Sequence, residues 1–231
     1  MQLSAKFEEM NKIILTADGS NTLYNETIGE HYHSKHGAVQ ESLHVFLDAG
    51  LKKAIQNNPD QPVALLEIGF GTGLNYLLSI SYCLENNVTL NYTGIEAFPI
   101  SQEELLLTNY GQYIPAAVWE TVTLNYQKAI SQPVVLFENQ EMEIAHTTLT
   151  DFQSSKRFDV IYFDAFSVQH QPEMWTEEIL EHTCSFLKPG GIFVTYAITG
   201  NLKRALKKAG MTIEKLPGAP GKREMLRAYK I

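Results

Sequence analysis

Three glycines alternate with other residues in Glu67-Ile68-Gly69-Phe70-Gly71-Thr72-Gly73, between an apolar run that ends at Ile68 and a second that opens at Leu74. That order predicts a buried strand, a turn and a helix. Glycine tolerates positive φ and lets a ligand reach the main chain without meeting a Cβ. The first N–H groups of a helix have no intrahelical acceptor and are offered to electronegative ligands. The chemistry such a stretch suits is recognition of a nucleotide-type molecule at a strand-to-helix turn. A dinucleotide fingerprint needs glycines at relative positions 1, 3 and 6; here they stand at 1, 3 and 5, and Leu74 takes the sixth place. Glu67 is a second signal, because an acid in a buried strand is costly without partners. Three more acids close apolar runs. Glu96, after Leu90–Ile95, can accept from both hydroxyls of a ribose. Asp151, just after Met142–Leu149, can accept from an adenine amino group or cap a helix. Asp164 falls near the end of the nearly continuous apolar run Phe158–Phe166.

Acids at successive strand ends act together only if the strands lie side by side and point the same way. The pattern of the chain predicts this. Strands at 63–68, 90–95, 142–149, 158–166 and 192–197 alternate with helices from Leu74 to about Glu85, over 101–130 with a turn at Gly111 and Pro115, at 176–187 and at 201–209. Alternating βα units give a doubly wound, mostly parallel sheet, and a run as apolar as 158–166 suits a central parallel strand. Strands near 211–216 and 224–230 flank Pro217–Arg223, a length that fits an antiparallel hairpin. Ahead of this core, residues 1–60 read as an extension: a hairpin at 12–24 turning near Asp18-Gly19, a polar loop and a helix at 39–56 whose Val39, Leu43, Leu47, Leu51 and Ile55 face the core. Residues 61–231 are then the core proper, packed with the extension as one unit. The loop carries His31, His33 and His36. No thiol or later histidine pair completes a ligand set, so a substrate-facing loop is favoured over a metal site.

Glu-x-Gly-x-Gly-x-Gly resembles motif I of class I methyltransferases, which bind S-adenosylmethionine. There the acid near the strand end helps to hold the cationic methionine end. The resemblance makes Glu67, Gly69, Phe70, Gly71, Gly73, Asn75, Glu96, Asp151 and Asp164 the candidate cofactor contacts. Further stretches are more specific: Gly37 through Gln40-Glu41-Ser42 to His44–Leu47, Glu96-Ala97-Phe98-Pro99, Phe163–Ser167 with Pro172-Glu173-Met174-Trp175, and Gly221-Lys222-Arg223-Glu224-Met225-Leu226. Together they resemble the methyltransferase domain of the MnmC family of tRNA wobble-uridine enzymes, and its stand-alone MnmD form, from about residue 12 to the C-terminus. Ala165 stands where many members have glycine, and Val168–Gln171 replaces a Pro-containing segment.

The resemblance implies methylation of the primary amine of 5-aminomethyl-(2-thio)uridine at tRNA position 34. Asp164, where the family places the methyl group, is then the candidate to accept the amine's N–H bonds and take its proton. Tyr32, Phe166 and Trp175 are candidates to flank a flipped-out base, with a core role equally open for Trp175. Bifunctional members carry a flavin-dependent oxidoreductase domain. No second glycine fingerprint follows here, so that activity is not expected.

Charge supports an RNA partner without requiring one. The net charge is −8, yet residues 202–231 hold nine of the eighteen lysines and arginines and only two acids, leaving nine bases and twenty-four acids before them. A basic end on an acidic body suggests either a polyanion-binding surface or a solvated helix face and edge strand. On the first reading Lys222, Arg223, Lys203, Arg204, Lys207 and Lys208 hold anticodon-stem phosphates. Cys83 and Cys184 suit buried free thiols in a reducing compartment. With no spanning run and no signal-like N-terminus, a cytoplasmic location is expected. Rival readings are a small-molecule N-methyltransferase or aminopropyltransferase, a non-catalytic S-adenosylmethionine-binding protein and, disfavoured by the glycine spacing, a nicotinamide-dependent oxidoreductase.

Overall fold

The computed structural model describes residues 11–231; the N-terminal stretch read above for a signal segment lies outside the described residues. An eight-stranded sheet forms the centre, in the order β10-β11-β9-β8-β4-β5-β7-β6. Its five inner strands are parallel: β9 (Leu187–Thr195), β8 (Phe158–Phe163), β4 (Val63–Ile68), β5 (Leu90–Glu96) and β7 (Gln140–His146). The C-terminal hairpin of β10 (Met211–Pro217) and β11 (Glu224–Lys230) adds two antiparallel strands beside β9.

Side-chain alternation explains why the inner strands are nearly all apolar. Leu65, Val160, Tyr162, Ile192 and Val194 pack into a cluster on one face; Leu66, Ile68, Ile161, Phe163 and Phe193 pack into a second on the other. Both faces are therefore covered, as parallel sheets require. The first face lies under α3 (Leu74–Glu85), α5 (Ala116–Ser131) and the N-terminal extension, the second under α6 (Glu177–Ser185) and α7 (Gly200–Lys208). A shorter helix, α4 (Gln102–Leu107), precedes α5 and opens on a capping box at Ser101 and Glu104.

The extension has its own three-stranded sheet of β1 (Lys12–Leu15), β2 (Asn21–Asn25) and β3 (Glu30–His31). The helix expected at 39–56 spans 38–57 but is not uniform. Between α1 (Ala38–Glu41) and α2 (Lys52–Asn57), the ten residues Ser42–Leu51 form a π-helix. An apolar stripe at every fourth residue drifts around a 3.6-residue turn, and the wider turn brings Phe46 against Tyr162 and Gly50 against Tyr162 and Val194.

The other departures from expectation are at edges. β6 (Val134–Phe137) forms a hairpin with β7 that was not foreseen, although Val134-Val135-Leu136-Phe137 is an apolar run before a turn at Asn139, whose φ is +65°. β7 ends at His146 and β8 at Phe163, earlier than the apolar runs suggest. The residues beyond leave the sheet to line the site. The helical stretch at 101–130 breaks at Asn109, φ +57°, and a short 3₁₀ turn at Tyr110–Gln112. Among the described residues no helix is long and apolar enough to cross a membrane.

Candidate active site

The chain runs from β4 outward to β5 and β7, then returns to the other side of β4 as β8. Strand order reverses at β4, and in such sheets a crevice opens at the carboxyl ends beside the reversal. A cavity of about 1000 Å³ lies there. Its walls include Ile68, Gly69, Phe70 and Gly71 after β4, Glu96 and Phe98 after β5, Thr147–Thr150 after β7, and Asp164–Phe166 after β8. The extension closes it with Glu30, Tyr32, His33 and Glu41, and the β10–β11 loop contributes Lys222.

The glycine loop is shaped as its spacing implies. Gly69, Gly71 and Gly73 have φ of +84°, +53° and +73°. A Cβ on Gly69 would stand 2.7 Å from the Asp164 carbonyl oxygen, because Asp164 N–H donates to Ile68 O at 2.9 Å and ties the two strand ends together. A Cβ on Gly71 would meet the Tyr32 ring at 3.0 Å. On Gly73 it would meet the Phe70 ring, which is buried under the turn and stacks on Tyr126. Phe70 thus meets the cavity at the edge of a largely core side chain.

Glu67, fully buried, does not reach the cavity wall. It accepts hydrogen bonds from Tyr92 O–H and from Asn75 Nδ2 at 2.6 Å. The other Nδ2 hydrogen of Asn75 goes to Asp164 Oδ2 at 2.8 Å, and Ser42 Oγ donates to Asn75 Oδ1 at 2.5 Å. With Oδ1 engaged by a hydroxyl, the Asn75 amide is fixed in orientation and Asp164 is held by one oxygen. Burial first, and the nearby Glu41 carboxylate second, push the Asp164 carboxyl up to about 8; the Asn75 bond and Lys222 act in the opposite direction. Burial and then the Asp164 charge push Glu67 well above the usual carboxylate range. Glu96 takes N–H bonds from Gly71 (2.9 Å) and Phe98 (3.0 Å); burial raises its carboxyl despite them.

The remaining sequence candidates separate. Tyr32 and Phe166 meet edge to face, centroids 5.1 Å apart, in the cavity wall. Trp175 is core: buried, stacked edge-on against Phe163, with its indole N–H donated to Phe166 O at 2.8 Å. Asp151 is exposed, closes its own turn onto Thr148 Oγ1 at 2.7 Å and is not among the cavity-lining residues. The basic set divides. Lys222 lies inside the cleft. Arg223 is exposed. Lys203, Arg204 and Lys207 on α7, joined by Lys215, border a separate depression of about 430 Å³. Lys208 pairs with Glu177.

Sequence reasoning missed Glu41, Tyr196 and the wiring of His33. Glu41 is buried and pairs with Lys222, whose Nζ is 2.5 Å from Oε2 and 3.8 Å above the Tyr196 ring. The one available signal was Glu41 itself, an acid beside the apolar stripe of a core helix. His33 is buried with Nε2 at 2.8 Å from Thr72 Oγ1, and burial pushes its imidazole down to about 4. His31 packs at a tilt against Tyr24, and His36 packs beside Gly221, so the three imidazoles have different neighbours.

Strand order, glycine loop and strand-end acids define a class I methyltransferase fold. Residues 106–231 match the family model described as S-adenosyl-L-methionine-dependent methyltransferase, and the chain belongs to that family. It is 29% identical over 215 residues to the tRNA 5-methylaminomethyl-2-thiouridine biosynthesis bifunctional protein MnmC of Leptospira borgpetersenii serovar Hardjo-bovis (strain JB197), covering 84% of this chain and 31% of that protein. Against the MnmC protein of Magnetococcus marinus it is 31% identical over 219 residues, covering 89% of this chain and 32% of that one. The chain therefore spans about a third of the length of the curated relatives it matches. The crystal structure of MnmC2 from Aquifex aeolicus shares the fold, with a TM-score of 0.73 and 23% identity over 96% of this chain and 71% of that one.

The cavity suits the family's methyl donor. Ile68, Ile95 and Leu149, with Ile179 packed against them, make an apolar wall of the kind an adenine ring needs. Glu96 ends β5 and Asp164 follows β8, and both line this cavity.

Proposed function

We propose that this chain methylates the primary amine of 5-aminomethyl-(2-thio)uridine at wobble position 34 of tRNA. The observation that carries the reading is Asp164: a carboxylate at the sheet reversal, fixed by Asn75 and facing a cavity walled by the Tyr32–Phe166 pair. The names of the similar MnmC proteins support the choice of substrate.

S-adenosylmethionine, when bound, supplies a methyl group already activated by its sulfonium charge. The chain's own work is then mainly positioning. Gly69 and Gly71 allow the close approach of Asp164 and Tyr32 that shapes the cavity wall, and Glu96 is the candidate to accept from the ribose hydroxyls. Asp164 accepts the N–H bonds of the acceptor amine and takes the proton that an alkylammonium must lose before its nitrogen has a lone pair. Tyr32 and Phe166 offer aromatic surface to an unstacked base. Arg223, Lys203, Arg204 and Lys207 are the candidates for phosphate contacts outside the cavity.

The test is incubation with labelled S-adenosylmethionine and tRNA lacking this methyl group, followed by nucleoside analysis. Label in methylaminomethyl-uridine at position 34 is expected. Label elsewhere in the tRNA, or only in small-molecule amines, overturns the reading.

A further inference from the structure

Lys222 was legible in the sequence only as a basic residue beside Arg223. Its place in the structure is different. The β10–β11 loop turns on Lys222 N–H to Ala219 O at 2.8 Å, with Ala219 buried, and directs the Lys222 side chain into the methyl-transfer cavity. There its ammonium meets Glu41 Oε2 at 2.5 Å and lies over the Tyr196 ring. Glu41 is held in turn by Ser34 N–H, at 3.2 Å from Oε1, and Tyr196 by its O–H bond to Ala165 O at 2.9 Å. Both supporting groups are thus anchored, on the cavity that Asp164 also lines.

The charges that meet at this point come from every element around it. Asp164 follows β8 and Glu41 closes α1. Glu67 lies behind Asn75, and Glu30 takes the Ser167 N–H at 2.8 Å. Burial keeps His33 neutral near pH 7. Lys222 is the cation ion-paired among them. A substrate ammonium entering a cavity with both Glu41 and Asp164 uncompensated would be stabilised as the cation and held unreactive. Paired with Lys222, Glu41 no longer attracts it, and Asp164 is the carboxylate left to bond the amine.

We propose that Lys222 is a positioning residue for the acceptor amine: clamped by Glu41 and Tyr196, it cancels the Glu41 charge so that the incoming ammonium gives its proton to Asp164. This rests on the amine-methylation reading above. The ammonium proton passes to Asp164. The freed lone pair forms the N–C bond while the C–S electron pair leaves on sulfur. The product departs as a secondary ammonium, and the Asp164 proton is lost to solvent.

The test compares wild type with Lys222→Met, Lys222→Arg and the double variant Glu41→Gln/Lys222→Met, which removes the Glu41 carboxylate together with its cation. An anticodon stem-loop carrying ¹⁵N-labelled 5-aminomethyluridine is bound without methyl donor, and the amine is titrated by NMR. Two opposite charges about 5 Å apart at a partly buried site interact by a few pH units before screening. Lys222→Met is therefore expected to raise the amine midpoint by about one unit or more and to shift the pH profile of kcat/KM upward by the same amount. Lys222→Arg and the double variant are expected to stay near wild type in both. A midpoint unchanged in Lys222→Met, or a loss of kcat equal at every pH, overturns the proposal and marks the ion pair as structural. Wild-type turnover on the same stem-loop separates these results from failure of the amine reading itself, which would appear as no methylation by any of the four proteins.

Discussion

Asp164 combines two properties that pull against each other. It is placed where a base is useful, and burial beside Glu41 makes its charged form unfavourable. In the unfolded chain the carboxyl has its ordinary value of 3.8; in the folded chain it is pushed up to about 8. Between those values the folded state binds more protons, so this group's contribution to stability is full below pH 3.8 and is lost as pH rises through about 8. Asp164→Asn removes that loss. At pH 8.5 the variant is expected to be more stable than wild type by on the order of 2 kcal/mol, measured by chemical denaturation, with the difference closing toward pH 4. The same variant should lose about 10²–10⁴ in kcat while binding S-adenosylhomocysteine with unchanged affinity by calorimetry. Normal turnover by Asp164→Asn removes it from the chemistry. Asp164 and Glu96 were legible as acids ending apolar runs, which is local information. Glu41 and Tyr196 were not, because Glu41 meets Lys222 across 181 residues of sequence and an acid beside the apolar stripe of a helix does not name its partner. Trp175 was open in the sequence between a stacking surface and the core, and its indole N–H on Phe166 O and its ring on Phe163 give the core role.

At the level of elements, the glycine loop and the extension are braced against one another. Tyr32 fills the space over Gly71, and His33 reaches Thr72, whose hydroxyl lies 3.2 Å from Tyr110 O–H. The glycines consequently differ in what they tolerate. Gly69→Ala combines positive φ with a clash against the Asp164 carbonyl, whereas Gly210→Ala, at φ +77°, meets nothing within 4 Å. Gly210→Ala is expected to destabilise by about 1 kcal/mol from backbone strain alone, and Gly69→Ala by about 3 kcal/mol or more with loss of donor binding; paired melting curves and calorimetry decide. Equal effects would mean that the loop relaxes around the added carbon. His33 gives the brace a pH dependence. Its imidazole is pushed from 6.5 down to about 4, so its contribution is present above pH 6.5 and is lost as pH falls toward 4. His33→Gln, able to keep a bond to Thr72, is expected to flatten that acid limb by on the order of 2 kcal/mol; an unchanged stability–pH curve overturns the assignment. The parallel core was readable from runs of apolar residues. The π-helix at Ser42–Leu51 and the hairpin strand β6 were not, since the first depends on packing against Tyr162 and Val194 and the second on a neighbour, β7, that only the folded sheet supplies.

On the scale of the whole molecule, the cations of the basic end divide between two places, the cavity and a separate depression on α7. Lys222 leaves the basic surface for the cavity, Lys230 is used on the carbonyls of Cys184 and Leu187, and Arg227 on Glu214 and the Ala49 carbonyl. What stays available to a polyanion is narrower than the nine cations of the last thirty residues suggest: Lys203, Arg204 and Lys207 around one depression that the Glu224-paired Lys215 also borders, with Arg223 exposed on the β10–β11 loop. On the proposed tRNA reading, the net acidity of residues 1–201 orients a polyanion toward this end as much as the cations hold it. This makes a quantitative prediction. Each phosphate contact removed lowers the slope of log K against log salt by about 0.7–0.9. Lys203→Glu/Lys207→Glu is therefore expected to reduce the slope for tRNA binding by about 1.5 and to raise KM for tRNA roughly tenfold near 0.1 M salt, with donor affinity and kcat at saturating tRNA unchanged. Filter-binding titrations across salt, beside steady-state kinetics, measure both. An unaltered slope would place the tRNA on another surface, and the basic end would then be a solvated face whose charges serve solubility alone.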